Sequence, residues 1–187
     1  MIDTLPVEIE TIRKSIVGLG VQDQIIIDGR PADTGRIRGV FHRYTTRDGL
    51  YGEPIRTTLI GYNTNLDLAW QRLACCKELM HVFDDPIEET KTQDELQTLI
   101  DKLLGPMSTD DIGVADLMAH ADRIATYRCL SILLPEASRL VCRESINLGK
   151  STLVQVAAAA CIPELYARFV LRDDWPEVLR VLLGSSD

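Results

Sequence analysis

The sequence lacks the features that would place the protein in a membrane or an oxidising compartment. Its start, MIDTLPVEIE, is acidic and has no basic segment followed by an apolar one, so we expect no signal peptide. The most apolar run, residues 153–162, is about half as long as a membrane span requires. The 5 cysteines form no C-x-x-C pair, which favours free thiols packed in the core. These absences predict a cytoplasmic protein with no membrane contact.

Positive charge is also scarce, and this argues against nucleic acid as a partner. The formal net charge is −8. Residues 1–65 hold 8 Lys/Arg and 8 Asp/Glu, whereas residues 66–187 hold 12 and 20, so the whole acidic excess lies in the second part. Phosphate backbones repel such a chain unless its basic groups gather on one face. We therefore expect a protein partner, while the oligomeric state is not indicated.

The pattern that is present predicts a single domain over residues 1–187. Apolar residues make up 45% and charged residues 26%, as in ordinary globular chains. Residues 1–65 predict a helix over 5–17 and strands over 24–28, 36–46 and 56–62, with a turn at 48–52. Residues 66–150 predict helices over 70–83, from Thr92 to about 104, from Asp110 or Asp111 to 134, and over 136–144. Residues 151–187 predict helices over 152–160 (capped by Ser151), 163–172 and 174 onward. The fold class is α+β, a small antiparallel or mixed sheet packed on a helical body.

One segment carries most of the functional information. Residues 58–83, TLIGYNTNLDLAWQRLACCKELMHVF, place an apolar strand, a short polar loop and a helix in succession. This order resembles the strand–loop–helix of the ImmA/IrrE metallopeptidases, where N-x-x-L leads into Q-R-F-T-x-A-H-E-L-G-H. Residues 122–125 and 132–137 resemble the family's E-A-N-x-F-A helix ending in L-L-M-P. Residues 154–171 resemble its trailing helix-turn-helix-like pair. The resemblance spans roughly residues 20–172 and implies a zincin-like active-site helix.

The zinc-binding positions of that family are altered here. Its H-E-x-x-H motif supplies two zinc ligands from one helical face and a glutamate that activates the bound water. At these positions the chain has Lys77, Glu78 and His81. The third ligand position holds Ile124, or Asp122 if the alignment shifts by two residues. Because a lysine ammonium has no lone pair to donate, the resemblance implies a relict base, Glu78, a relict ligand, His81, and no metal cofactor.

Two other interpretations of this segment stay open. A polar stripe through Lys77 and His81 is also typical of a solvated helix face. Alternatively, His81 joins Glu78, Asp85 or Asp122 in a zinc site outside the family pattern.

A second candidate site lies in the predicted strand 36–46. Arg36, Arg38, His42 and Arg43 form a local excess of positive charge in an acidic chain. Such a stripe would dock an acidic partner, or it would keep an edge strand soluble. The remaining helical histidine, His120, is expected at the surface.

The resulting hypothesis is a catalytically inactive ImmA/IrrE-like protein that acts as a binding regulator. Members of that family are associated with cleaving or neutralising helix-turn-helix repressors of mobile elements and stress responses, so a repressor is the partner that the resemblance implies. The alternatives are an active zinc endopeptidase with unusual ligands and a DNA-binding regulator that uses the last helices. Residues 151–187 contain 3 Arg, no Lys and 5 acids, which favours core packing over DNA binding for those helices.

Overall fold

The computed structural model describes residues 5–32, 38–47, 52–84 and 114–183. These ranges contain one three-stranded sheet and seven α-helices, which confirms the predicted α+β class. The elements are α1 (Ile9–Gly18), β1 (Gln24–Arg30), β2 (Gly39–Arg47), β3 (Pro54–Asn63), α2 (Leu68–Met80), α3 (Val114–Leu133), α4 (Glu136–Asn147), α5 (Leu153–Ala160), α6 (Glu164–Val170) and α7 (Trp175–Leu183).

The sheet is mixed, with β3 between its two neighbours. β2 runs antiparallel to β3, with His42 opposite Leu59, and β1 runs parallel to β3, with Ile26 opposite the same residue. Gly29 of β1 lies opposite Tyr62 of β3, and a Cβ at that glycine would stand 2.6 Å from the tyrosine ring. The parallel pair arises because the chain must pass through β2 before β3 returns beside β1.

Helix α2 lies between the sheet and α3, and it is buried on nearly all sides. Cys76 and Leu79 of α2 are 0% exposed, as are Cys129 and Leu133 of α3. The two helices touch through their cysteines, since the thiol of Cys129 donates to a backbone carbonyl of α2 at 3.6 Å. All five cysteines are free and four are buried, as predicted. Any group at the carboxyl end of α2 is therefore enclosed by elements on both sides.

Helix α2 begins and ends at other residues than predicted. The side chain of Asp67 accepts a hydrogen bond from the backbone of Trp70 at 3.0 Å, so the helix starts at Leu68 rather than at residue 70. At the other end the α-helix stops at Met80, and residues His81–Phe83 form one turn of 3-10 helix. Tightening of the last turn is common at helix ends.

Other boundaries shift by a few residues. Thr152 rather than Ser151 caps α5, because its hydroxyl accepts from the backbone of Gln155 while the Gln155 side chain accepts from Thr152 in return. The hydroxyl of Ser151 lies 2.7 Å from that of Ser145 instead. Helix α1 begins at Ile9 rather than at residue 5. The helix predicted from residue 92 to 104 and most of the turn predicted at 48–52 lie outside the described residues.

Helices α5 and α6 form a sharply bent pair. Their axes differ by 103° across residues 161–163, within the range of about 90–120° that helix-turn-helix pairs adopt. Of the helices in the described ranges, none is by itself long and apolar enough to cross a membrane, and only this bent pair passes that test when its two helices are combined.

Candidate functional site

The end of α2 and the middle of α3 bring together five ionisable side chains, which we call the Lys77 cluster: Lys77, Glu78, His81, Asp84 and Asp122. Lys77 and His81 lie one helical turn apart and therefore share a face. The Lys77 ammonium forms an ion pair with the Asp122 carboxylate, and its Nζ lies 3.4 Å from Oε1 of Glu78. A cation thus lies between two carboxylates at the position where the family motif would place a zinc ligand.

The residue that α3 contributes to this cluster is Asp122 rather than Ile124. Oδ1 of Asp122 lies 3.6 Å from Nε2 of His81, in addition to its ion pair with Lys77. Residues two apart on a helix point about 200° away from each other, so Ile124 faces another side of α3. Of the two residues considered from the sequence, Asp122 is the one that lies beside Lys77 and His81. The other substitute ligand considered, Asp85, lies outside the described residues.

Both ring nitrogens of His81 face carboxylate oxygens. Its Nδ1 lies 2.5 Å from Oδ2 of Asp84, and its Nε2 faces Asp122 and, at 4.0 Å, Glu78. Burial opposes protonation, but the hydrogen bonds to Asp122 and Asp84 and the negative charge of Glu78 outweigh it and raise the pKa of His81 to about 9. His81 is therefore an imidazolium at neutral pH, with both nitrogens acting as donors.

The other charges of the cluster stabilise one another in the same way. Burial disfavours the charged form of Lys77, yet the negative charges of Glu78 and Asp122 raise its pKa above the usual value. For Asp122, burial is outweighed by the hydrogen bond from His81 and the charge of Lys77, which lower its pKa. Arg128 adds a further positive charge 3.9 Å from Asp84. These side chains form a charge-compensated network rather than a set of poised acids and bases.

Strand β2 closes the outer side of the cluster. A Cβ on Gly39 would lie 2.7 Å from Cγ of Glu78 and 2.8 Å from its Oε1, so only glycine lets the glutamate lie against this strand. Two residues further on, the ring of Phe41 faces that of His81 with centroids 5.9 Å apart. The side chain of Lys77 remains 23% exposed and that of Glu78 only 9%. The cluster is therefore a half-enclosed internal site, and this placement disagrees with the solvated-face interpretation.

A zinc ion does not fit this donor set. Catalytic zinc takes three protein ligands with lone pairs and leaves one open position. Here two of the groups nearest the centre, Lys77 and His81, carry protons at neutral pH, and both repel a divalent cation. Among the residues that the structure describes, no three His, Cys, Asp or Glu side chains are arranged to hold a metal ion.

The basic stripe predicted in β2 is divided between the two faces of the sheet. Arg38 and His42 are exposed, with Arg38 stacked over Trp70 at 3.8 Å and His42 stacked on Tyr44. Arg43 faces the opposite side, is 12% exposed and donates to the backbone carbonyl of Val82 at 3.0 Å. The alternation of side chains along β2 is the signal that separates Arg43 from His42. Arg36 lies outside the described residues, and His120 is exposed as predicted.

Asp23, which the sequence did not single out, is the partner that draws Arg43 inward. Its fully buried carboxylate accepts from Nε of Arg43 at 2.9 Å, from the hydroxyl of Thr58 at 2.6 Å and from Arg56. Burial alone would raise the pKa of Asp23, but the hydrogen bonds from Thr58 and Arg56 and the arginine charges lower it. These ion pairs join the residue that precedes β1 to β2 and β3, and their role is structural.

The protonation of His81 predicts a dependence of stability on pH. The pKa of His81 in the folded protein, about 9, lies above the usual 6.5. The contribution of this proton to the free energy of unfolding is therefore complete below about pH 6.5 and is lost as the pH rises through 9. We expect the difference in unfolding free energy between wild type and His81→Gln to shrink by about 3 kcal/mol between roughly pH 6.5 and pH 10. Urea denaturation at several pH values measures this difference.

The matched control is His42→Gln, which changes an exposed histidine. It should follow the wild-type pH profile throughout. A difference between wild type and His81→Gln that stays constant with pH would show that His81 is neutral in the folded protein.

Comparison of the chain with protein-family models, with curated proteins and with solved structures finds no match. The resemblance to the ImmA/IrrE family, and with it the zincin-like character of α2, therefore stays a prediction from the sequence motifs.

Proposed function

We propose that this protein is a non-catalytic binding regulator in which the ammonium group of Lys77 takes the place of a catalytic metal. The observation that supports this most strongly is the ion pair between Lys77 and Asp122, with Glu78 and His81 on either side. The positive charge of Lys77, together with that of His81, compensates the carboxylates of this half-enclosed site. The site is thereby held together without a cofactor.

Glu78 is poorly suited to act as a general base in this arrangement. A base must reach the proton that it removes, within hydrogen-bond distance or through one water. One carboxylate oxygen of Glu78 faces Lys77 and the other faces His81, while its methylene group packs on Gly39. Two protonated neighbours compete for the lone pairs that a metal-bound water would need. The alternative of an active zinc endopeptidase requires Lys77 to lose its proton, and its raised pKa opposes this.

The partner that fits the charge of the chain is a basic protein. The net charge of −8 favours association with a positively charged surface, such as the DNA-reading face of a helix-turn-helix repressor. This is also the class of partner that the sequence resemblance implies, in the cytoplasm. Binding such a protein without cutting it is a function that the closed Lys77 cluster permits.

The alternative of direct DNA binding has one feature in its favour, the 103° bend between α5 and α6. The charges oppose it. The three arginines of this region, Arg168, Arg172 and Arg180, form ion pairs with Glu164, Asp174 and Glu177, respectively. Arginines neutralised in this way provide little attraction for phosphate.

Zinc binding tests the proposal directly. Wild-type protein should hold less than about 0.1 zinc per chain after equilibrium dialysis against micromolar zinc. The reason is that the ammonium group of Lys77 and the imidazolium of His81 occupy the site. Lys77→His should gain zinc affinity by at least about tenfold, since it places two imidazoles one turn apart opposite Asp122. Calorimetric titration measures the gain.

Lys14→His provides the matched control, because Lys14 lies on the exposed face of α1. It should show no gain. If the wild-type protein instead carries about one zinc per chain, which His81→Ala removes and Glu78→Ala retains, the proposal is wrong and the endopeptidase alternative is favoured. A folded Lys77→His variant with unchanged zinc affinity would also contradict it.

A further inference from the structure

A groove outside the Lys77 cluster runs between α3 and α6. Its volume is about 400 Å³, and its walls include Arg123, Tyr127 and Leu130 from α3 and Leu165 and Phe169 from α6. The three residues from α3 are spaced i, i+4 and i+7 and so share one face of that helix. Asp122 lies outside this stripe and joins the Lys77 cluster instead. One helix thus carries parts of two separate sites.

The apolar wall of the groove is held in place from behind. The rings of Tyr127 and Phe169 lie 5.6 Å apart, and both pack on Trp175, at 5.8 and 5.4 Å. Trp175 is only 1% exposed. Aromatic side chains that are fixed by a buried neighbour lose little conformational entropy when a ligand binds against them. The groove is therefore a preformed surface rather than one that must be assembled.

One positive charge lies in the groove without a counter-ion. Within the described part of the chain, Arg123 has no ion pair or hydrogen bond to its side chain, whereas Arg168 on α6 is paired with Glu164 and Arg172 with Asp174. A guanidinium presents a planar fork of donors that matches a carboxylate or sulfonate. Leu165 stands at the rim of the same groove with 67% of its surface exposed. The groove thus offers a cationic point beside exposed apolar surface.

We propose that this groove is a binding site for a small organic anion, one with an aromatic or branched apolar body and a single acidic group. The apolar body packs against Tyr127, Phe169 and Leu165, and the acidic group pairs with Arg123. The size supports a free small molecule, because such sites commonly measure about 300–1,000 Å³ and combine apolar walls with few polar groups. In a chain of net charge −8, the positive charge of Arg123 gives this groove a local attraction for anions.

Two fluorescent probes that differ in charge test this assignment. Anilinonaphthalene sulfonate is an aromatic anion, and phenylnaphthylamine is its neutral counterpart. Folded wild-type protein should bind the sulfonate in a saturable manner. Arg123→Gln should weaken sulfonate binding by about fivefold and change binding of the neutral probe by less than about twofold, because only the charge-assisted contact is lost. Leu165→Asn should weaken binding of both probes.

Arg168→Gln is the matched control, since it removes one positive charge from an exposed position on α6, the other helix of the groove. It should bind both probes as wild type does. Circular dichroism and the urea midpoint establish that each variant is folded. The proposal is overturned if wild type shows no saturable sulfonate binding, if Arg123→Gln and Arg168→Gln weaken it equally, or if Leu165→Asn leaves both probes unaffected. None of these outcomes bears on zinc binding, so this proposal and the proposed function fail independently.

Discussion

Replacing Lys77 by methionine is expected to lower the free energy of unfolding by about 3 kcal/mol, because removing one member of an enclosed ion pair leaves the other charge uncompensated. Methionine keeps the apolar stem of the side chain and removes the ammonium group. Asp122 and Glu78 then share only the positive charge of His81. The residual exposure of the lysine, 23%, places the expected loss at the lower end for buried pairs. Urea denaturation at neutral pH gives the value.

Two comparisons make the result for Lys77→Met specific. Lys14→Met removes a lysine that is 72% exposed and 3.9 Å from Glu10, and it should leave stability nearly unchanged. The double variant Lys77→Met/Asp122→Asn should be more stable than the single variant, since the uncompensated carboxylate is gone. A loss below about 1 kcal/mol for Lys77→Met would mean that Lys77 is a solvated surface residue.

Asp23→Asn is the second substitution with a large expected effect, again about 3 kcal/mol, since it neutralises a buried charge that holds two arginines. The amide that replaces one carboxylate oxygen is a donor, and it would face donors from Arg43, Arg56 or Thr58. The loss should be measured at neutral pH. The pKa of Asp23 is lowered in the folded protein. The carboxylate therefore contributes to the free energy of unfolding above the ordinary aspartate pKa, and this contribution is lost as the pH falls through the lowered pKa.

Asp28→Asn is the corresponding control for Asp23→Asn. Asp28 lies on β1, the strand that begins directly after Asp23. Its ion-pair partner, Arg30, is 81% exposed. This variant should keep nearly all of the wild-type stability. If Asp23→Asn were equally mild and kept the wild-type response to acid, the ion pairs of Asp23 with Arg43 and Arg56 would have no structural role.

Local patterns of the sequence were sufficient for the elements that carry the Lys77 cluster. Apolar spacing predicted α2 and α3, and a helix at 77–81 necessarily places Lys77 and His81 on one face. The boundary errors at residues 68, 81 and 152 came from side-chain caps and a tightened last turn. For Arg43, the strand alternation already indicated a face opposite to that of His42, its neighbour in β2.

The contacts between distant elements were not predictable in the same way. Whether Asp122 or Ile124 faces α2 depends on how α3 is rotated against it, and that rotation is set by the packing of residues such as Cys129 and Leu133 in the core. The role of Asp23 depends on two arginines that reach it from β2 and β3. Neither relation leaves a periodic signal in the sequence.

The sequence by itself determined the α+β class, the one-turn spacing of Lys77 and His81, and the presence of Glu78 between them. Only the tertiary structure decided that Asp122 completes the cluster, that carboxylates on both sides of His81 raise its pKa, and that Asp23 is the partner of Arg43. The physical reason is the range of the interactions involved. Backbone geometry repeats every few residues and can be read locally, whereas burial and charge act between groups that meet only when the chain has folded.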